Sequence, residues 1–397
     1  MKPLLKFLKF LGKALLVILV ALNLFIIFTG RFYLYKGVWN TYLKGRSGPA
    51  IDEYQIFHNR KVESGQPQEW PVGSDYNRKK ISDAHRQDFE RMKTIAYLVI
   101  KDDSIRYEEY WDGFSDTSHT NSFSVAKTIV SVLTGCAIAE GKIKSVDQPV
   151  GDFLPEYRSA ESAGLTVRHL LTMSSAIDWD ENYANPLAYP AQAYYGTDLK
   201  KLNAKYKVAG PCGKNFEYRS GNTQVLGFLL EQATGMSLSR YASEKLWKPL
   251  GAKHPAYWSL DHENGHEKAY CCFNSNVRDF ARIGQLYLDS GRWKGKQIVP
   301  EDYVLESIKP APLVCDGQPN KKYGYSWWLL PDYLPAGKTG KGYDIFYARG
   351  ILGQYVIQVP DKNMVIVRLG AKRELGRLEH PQDLFWYIDA ALEMYSE

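Results

Sequence analysis

The chain has 397 residues, of which 45% are hydrophobic and 14% aromatic, enough for a large core and one or two domains. Its formal net charge is +6, but Lys2, Lys6, Lys9, Lys13 and Arg31 lie in an N-terminal stretch without any acidic residue. The remaining body is close to neutral, which gives no electrostatic case for nucleic-acid binding.

An apolar run from Ala14 to Thr29 is interrupted only by Asn23 and preceded by lysines. As a helix it spans roughly 24 Å, and the aromatic residues that follow extend it toward bilayer thickness. The sequence predicts an N-terminal membrane anchor with its basic flank in the cytoplasm and the body exported. A cleaved signal peptide and a cytoplasmic amphipathic helix are the alternatives. No small-x-small cleavage site follows the run, which favours the uncleaved anchor.

Residues 32–85 are polar and irregular, with turn signals such as Gly48-Pro49 and Trp70-Pro71. They predict a stalk followed by a segment that wraps the body. Beyond them, β-rich segments at 94–100 and 105–111 flank the turn signal at 102–104, which predicts a hairpin.

The sequence Ser124-Val125-Ala126-Lys127 introduces a run that is apolar around most of its circumference and stops at Gly141. This pattern predicts a buried helix. Ser124 would lie in its first turn, where unpaired N–H groups and the helix dipole favour an oxyanion. Lys127 falls on the same face three residues later, and burial favours the neutral amine that can accept a serine proton. Ser-x-x-Lys also arises by chance, so the assignment needs further signals.

Between residues 150 and 300, helical patterns occur at 165–171, 222–234 and 269–290. Three short strands are predicted at 345–349, 354–360 and 364–369, and a last helix at 381–395. Strands at both ends therefore flank a helical middle. This order predicts an α+β fold, an α/β sandwich in which one antiparallel sheet is built from both ends of the chain with a helical insertion at about 150–300.

A tyrosine that meets a neutral lysine can act as general acid and base, and Tyr218 is the candidate because it stands just before the predicted helix at 222–234. Two triplets compete for the strand that completes the site. Lys338-Thr339-Gly340 matches a known K-T-G motif. Ala348-Arg349-Gly350 lies directly before the last two strands and is favoured. The N–H of Ile351 would then join that of Ser124 as an oxyanion donor.

With these motifs in order over about residues 90–375, the chain resembles the class C β-lactamase-like serine hydrolases. It is most similar to their 6-aminohexanoate-dimer (nylon-oligomer) hydrolase and esterase branch. The resemblance implies a β-lactamase/transpeptidase-like antiparallel sheet flanked by helices. It also implies that Ser124 is the acylated nucleophile, Lys127 its activator and Tyr218 the acid/base.

The resemblance further implies that Ser220, Arg349 and Gly350 bind substrate. Ser220 stands where β-lactamases carry asparagine, and Ala348-Arg349-Gly350 replaces K-T-G. Both departures point away from a true β-lactamase, and Arg349 is a candidate for a substrate carboxylate. A set of aromatic residues is expected to ring the site, at least half of them as ordinary core: Trp179, Tyr183, Tyr189, Tyr194, Tyr195, Trp258, Trp327 and Trp328.

Five cysteines, at 136, 212, 271, 272 and 315, have no framework spacing, so a disulfide scaffold is not expected. Packing in the core or along the site is predicted for Cys271-Cys272, and one bridge between loop cysteines stays open. The eight histidines show no ligand spacing, so neither a metal nor another cofactor is predicted.

The combined prediction is a membrane-anchored, extracytoplasmic serine hydrolase that cleaves small ester or amide substrates through an acyl-enzyme. Its expected divisions are a basic stretch and anchor at 1–31, a stalk and wrapping segment at 32–85, and a hydrolase domain at 86–397. Two alternatives remain: a D-alanyl peptidase or weak β-lactamase acting at the cell wall, and a non-catalytic sensor or binding protein.

Overall fold

The computed structural model describes residues 2–335, 337–374 and 379–395. The α-helices are α1 Lys2–Thr29, α2 Tyr33–Asn40, α3 Asp83–Arg91, α4 Val125–Ala139, α5 Val167–Leu171, α6 Tyr189–Tyr195, α7 Leu199–Asn203, α8 Ser220–Thr234, α9 Leu238–Ala242, α10 Val277–Leu288, α11 Glu301–Ser307 and α12 Gln382–Tyr395. The strands are β1 Asn59–Val62, β2 Thr94–Lys101, β3 Ser104–Tyr110, β4 Thr120–Asn121, β5 Ala256–Ser259, β6 Phe273–Ser275, β7 Arg292–Trp293, β8 Lys296–Gln297, β9 Val314–Cys315, β10 Gln318–Pro319, β11 Trp328–Tyr333, β12 Tyr343–Gly350, β13 Gln354–Val359 and β14 Met364–Gly370.

The central sheet has six antiparallel strands in the order β11-β12-β13-β14-β2-β3. Strands from the two ends of the chain meet between β14 and β2, where Val365 stands opposite Ile100. The predicted hairpin is β2–β3, and its turn residues Asp102 and Asp103 have φ of 51° and 59°. The predicted antiparallel sheet built from both ends and flanked by helices is confirmed.

Helices cover both faces of this sheet because its side chains alternate between two apolar cores. Val356, Val365 and Val367 belong to the core that contains α4 and α10. Ile357 and Ile366 belong to the core that contains α3 and α12. The result is a three-layer body in which α4 lies buried beneath the sheet.

A second, four-stranded sheet was not anticipated from the sequence. It has the order β1-β5-β6-β4 and joins segments that are far apart in the chain. The prediction of a helix at 269–290 is wrong in its first part, because β6 occupies Phe273–Ser275 and α10 begins at Val277, capped by the Asn276 side chain. Residues 270–272 therefore form a turn next to the head of α4.

The expected irregular stalk after residue 31 is also different in the structure, because α2 forms there and packs on α6. A Cβ on Gly37 would lie 3.3 Å from the Tyr195 ring, and the Tyr33 hydroxyl donates to the Pro186 carbonyl at 3.0 Å. Preceding α2, the apolar helix α1 is the one helix in the described ranges long and apolar enough to cross a membrane. Its composition and position suit either a membrane anchor or a signal sequence.

Candidate active site

Ser124 stands at the head of α4, directly after a residue in an unusual backbone conformation. Phe123 has φ of 45°, a left-handed value that side chains other than glycine rarely adopt. Two hydrogen bonds hold this turn: Asn121 Oδ1 accepts from Phe123 N at 2.8 Å, and Ser122 N donates to Phe273 O at 2.9 Å. Within the described part of the chain, the Ser124 N–H donates no hydrogen bond to another residue. The turn therefore presents a half-buried hydroxyl beside a free N–H at a helix start.

Lys127 lies one turn further along α4 and reaches back to this hydroxyl. Its Nζ is 2.9 Å from Ser124 Oγ and 3.0 Å from the Tyr270 carbonyl oxygen. The residue is only 1% exposed. The rings of Tyr218 and Tyr270 have their centroids 5.1 and 5.6 Å from Nζ. The amine is thus held by a carbonyl and two aromatic faces, with Ser124 as its hydroxyl partner.

Tyr218 enters from the loop before α8 and is brought to the amine by packing on the sheet. Its ring centroid lies 5.5 Å from that of Trp328 on β11. The preceding residue, Glu217, donates its N–H to Met173 O at 2.8 Å. Among the described residues, the Tyr218 hydroxyl has no hydrogen-bond partner. The structure thus brings Ser124, Lys127 and the Tyr218 ring together.

The end of β12 touches the loop that carries Ser124. A Cβ on Gly350 would lie 2.3 Å from the Ser122 carbonyl oxygen, so no larger residue fits at this contact. Ile351 follows at once and lines the same cavity as Ser124. By contrast, Lys338-Thr339-Gly340 lies exposed in the loop between β11 and β12. The strand end near Ser124 therefore belongs to Ala348-Arg349-Gly350.

The two other predicted substrate-binding residues, Arg349 and Ser220, do not line the cavity over Ser124. The Arg349 guanidinium stacks on Trp328, 3.7 Å from the ring centroid, beside Tyr218. Ser220 is buried at the start of α8, where its N–H and hydroxyl donate to the Glu181 carboxylate at 2.8 and 2.5 Å. The Tyr183 hydroxyl donates to the same carboxylate at 2.9 Å. Sequence reasoning missed Glu181, because a single acid in a loop carries no pattern.

A cavity of about 200 Å³ opens over Ser124. Of the aromatic residues expected around the site, Tyr183, Tyr194 and Tyr195 line it, and the other five are core. The cavity also takes residues that the sequence did not suggest, above all from α2. Its lining consists of Tyr33, Leu34, Gly37, Val38, Thr41, Tyr42, Ser47, Gly48, Pro49, Phe123, Ser124, Tyr183, Ala184, Pro186, Pro190, Ala191, Tyr194, Tyr195, Tyr270, Cys271 and Ile351.

Cys271 and Cys272 are joined by a disulfide between adjacent residues. Both are buried, and Cys271 lines the cavity directly after the carbonyl that receives Lys127. The two cysteines therefore pack along the site as predicted, and a disulfide also joins them to each other. In the described ranges no three His, Cys, Asp or Glu side chains cluster in a way that could hold a metal ion.

A second buried lysine supports the cavity wall from behind. Lys268 Nζ donates to the Ala193 carbonyl of α6 at 2.8 Å. Burial lowers the pKa of Lys268 to about 7. Nearby, burial raises the pKa of Glu53, which accepts from the Tyr194 hydroxyl at 3.3 Å. These groups hold α6 and its two cavity-lining tyrosines in place.

Comparison with known proteins places this chain in a family of serine hydrolases. The family profile described as β-lactamase matches residues 83–383. The chain is 28% identical over 303 residues to the 6-aminohexanoate-dimer hydrolase of Paenarthrobacter ureafaciens, covering 72% of this chain and 74% of that protein. It is 28% identical over 131 residues to a β-lactamase of Escherichia coli strain K12, covering 33% of each.

Solved structures agree on the fold. A candidate 6-aminohexanoate-dimer hydrolase from Bacillus anthracis superposes with a TM-score of 0.71 at 22% identity, covering 87% of this chain and 94% of the other. A class C β-lactamase superposes with a TM-score of 0.57 at 18% identity, covering 82% and 98%. At these identities the likeness concerns the β-lactamase/transpeptidase-like fold alone.

Proposed function

Because the chain belongs to the β-lactamase family of serine hydrolases, we propose that it cleaves esters or linear amides through an acyl-enzyme on Ser124. The observation that carries this proposal is the 2.9 Å separation of Lys127 Nζ and Ser124 Oγ at the head of a buried helix. A serine hydroxyl is a weak nucleophile until a neighbouring base takes its proton. No other serine in the described ranges has a lysine amine within hydrogen-bond distance.

In the first half of the reaction, the Lys127 amine takes the Oγ proton while it donates one N–H to the Tyr270 carbonyl. Oγ then attacks the substrate carbonyl carbon. The negative charge that forms on the carbonyl oxygen is stabilised by the N–H groups of Ser124 and Ile351. The C–O or C–N bond breaks as Tyr218 gives a proton to the leaving group, and Lys127 returns a proton to Tyr218.

In the second half, water attacks the acyl carbon of the ester on Ser124. Tyr218 and Lys127 accept the water proton and pass one back to Oγ, and the acid leaves. The net reaction consumes one water and restores every protein proton. The Tyr218 hydroxyl suits this exchange because no described residue holds it.

Esters and linear amides are favoured over lactams for two reasons. The lysine and threonine of a K-T-G triplet are missing from the end of β12, where Ala348 and Arg349 stand instead. The relative from Paenarthrobacter ureafaciens is named for hydrolysis of a 6-aminohexanoate dimer and not of a lactam antibiotic. Arg349, stacked on Trp328 beside Tyr218, offers a cation to a leaving group with negative charge.

We also propose that α1 is an uncleaved anchor. Lys2, Lys6, Lys9 and Lys13 precede its most apolar part, and such a flank stays in the cytoplasm. The hydrolase domain, residues 86–397, would then work outside the cytoplasm. This arrangement would be tested by protease access to intact cells or spheroplasts that carry the chain.

The proposed chemistry is tested by initial rates on p-nitrophenyl acetate and a short linear amide, with wild type beside Ser124→Ala. Ser122→Ala is the matched control, since this buried serine lies two residues away and its hydroxyl donates to the Phe123 carbonyl. We expect a loss of 10³-fold or more for Ser124→Ala and less than threefold for Ser122→Ala. Equal rates for wild type and Ser124→Ala would contradict the proposal. Faster turnover of nitrocefin than of either substrate would favour the β-lactamase alternative.

A further inference from the structure

The helix that follows the apolar N-terminal helix has two faces with different neighbours. The inner face of α2 lines the cavity over Ser124 through Tyr33, Leu34, Gly37 and Thr41. On the outer face of α2, at its N-cap and in the 3₁₀ turn Tyr42–Lys44 that follows it, large apolar side chains outside the cavity lining are between 42% and 67% exposed: Phe32, Tyr35, Trp39 and Leu43. Soluble proteins rarely expose so many large apolar groups together. One short helix therefore separates the candidate active site from an exposed apolar surface.

This apolar surface is continuous with α1. The Tyr35 hydroxyl donates to Asn23 Oδ1 at 2.7 Å, which ties α2 back against the end of α1. Almost the whole of α1 exposes large apolar side chains. Tyrosine and tryptophan beside a spanning helix are typical of the bilayer–water interface. If α1 spans the bilayer, the outer face of α2 lies at the membrane surface and the cavity opens beside it.

The chemistry of the cavity wall agrees with an apolar occupant. No charged side chain occurs in its lining. Leu34, Val38, Pro190, Ala191 and Ile351 offer hydrocarbon surface along a path that ends at Ser124. A charged group at the far end of the acyl part would have no counter-charge in this lining, which is unfavourable in an apolar site. Tyr218 and Arg349 are not part of this lining.

The α2 side of the cavity lies outside the family match. The family match covers residues 83–383, whereas α1, α2 and the turn that follows all precede residue 83. This side of the cavity is therefore formed by residues outside the family match.

We propose that the substrate is an amphiphile with a long acyl chain, taken up at the membrane surface. The acyl chain lies in the cavity lined by α2 and α6, the ester or amide carbonyl stops at Ser124, and the polar leaving group lies toward Tyr218. Hydrolysis then releases a fatty acid and a polar alcohol or amine. This inference rests on the proposed acyl-enzyme chemistry and names its substrate class.

The test uses the full chain in a non-ionic detergent and two monomeric esters, p-nitrophenyl acetate and p-nitrophenyl octanoate. Leu34→Glu places a charge on the inner face of α2, and Leu34→Gln repeats the test without one. Trp39→Glu is the matched control, because Trp39 is 65% exposed and does not line the cavity. Melting temperatures and the acetate rate report whether each variant is folded.

We expect wild type to have a kcat/KM at least tenfold higher for octanoate than for acetate. Leu34→Glu should lose tenfold or more on octanoate and less than threefold on acetate, and Leu34→Gln should show a smaller loss of the same kind. Trp39→Glu should change neither rate by more than threefold. Equal kcat/KM values for the two esters in wild type, or equal losses on both in the Leu34 variants, would overturn the inference. Acetate hydrolysis that persists in Ser124→Ala would instead remove the proposed function.

Discussion

The two walls of the cavity over Ser124 differ in burial, in bonding and in whether the family match covers them. The catalytic wall, residues 123–127, 270–271 and 350–351, lies inside the family match and is held by the Lys127 bonds and the close contact at Gly350. The N-terminal wall, residues 33–42, lies outside that match and exposes much of its outer surface. In our account the first wall supplies chemistry and the second selects the substrate, so changes to each should have separable effects.

Among the changes that distinguish the roles of the two walls, the largest loss of kcat is expected at Tyr218. Tyr218→Phe keeps the ring between Lys127 and Trp328 but removes the hydroxyl that exchanges protons. We expect kcat on both acetate and octanoate esters to fall about 10²-fold or more, because general acid–base catalysis typically contributes that much. The measurement is kcat for each of the two esters, wild type beside Tyr218→Phe. A loss confined to octanoate would contradict the division, since it would make Tyr218 a selecting residue.

A smaller loss of kcat on both esters is expected where the end of β12 contacts residues 122–124. In Gly350→Ala the new Cβ would lie 2.3 Å from the Ser122 carbonyl oxygen, so strand and loop must separate. We expect a loss of roughly tenfold or more in kcat, because small displacements of reacting groups are costly. Overpacking should also cost about 1–3 kcal/mol of unfolding free energy. Gly164→Ala is the control, as its Cβ would meet nothing within 4 Å. Unchanged kcat in Gly350→Ala would show that this contact does not position Ser124.

The smallest effect concerns Lys268, which supports α6 where the two walls meet. Its pKa is lowered to about 7 by burial, opposed by Asp261 and assisted by Lys36, whereas an unfolded lysine titrates near 10.4. Between these values the unfolded chain binds the extra proton, so the free energy of unfolding should rise with pH across this window. The rise should be on the order of 1 kcal/mol per pH unit.

Lys268→Met should remove that contribution. We therefore expect denaturant unfolding at pH 7.0 and 9.5 to show a steeper pH dependence for wild type than for the variant. Lys338→Met, at an exposed loop lysine, is the control and should keep the wild-type slope. Identical slopes for wild type and Lys268→Met would mean that Lys268 stays charged in the folded protein.

The catalytic wall could be predicted from the sequence because the patterns that indicate it are local. Residues three apart on a helix share a face, so Ser124 and Lys127 had to meet once α4 formed. The two predicted strands that follow β12 located its end, and so placed Gly350 and Ile351 beside Ser124. Tyr218 was placed by its position before a helix and by the family resemblance.

The N-terminal wall could not be predicted from the sequence, because tertiary packing and not local helix propensity stabilises α2. Its eight residues, Tyr33–Asn40, include Gly37 and Val38, which are weak helix formers, and its packing on α6 supplies what propensity does not. The predicted helix at 269–290 began too early since a buried strand and a buried helix are equally apolar there. That error concealed the turn at Tyr270, whose carbonyl holds Lys127.

The central claim is that Ser124 is an activated nucleophile, and intact mass after exposure to a fluorophosphonate tests it most directly. The full chain is compared as wild type, Ser124→Ala and Lys127→Met, with peptide mapping of any adduct. We expect one adduct on wild type at Ser124, none on Ser124→Ala, and labelling of Lys127→Met at least 10²-fold slower. An adduct on Ser124→Ala, or equal labelling rates for wild type and Lys127→Met, would contradict the account.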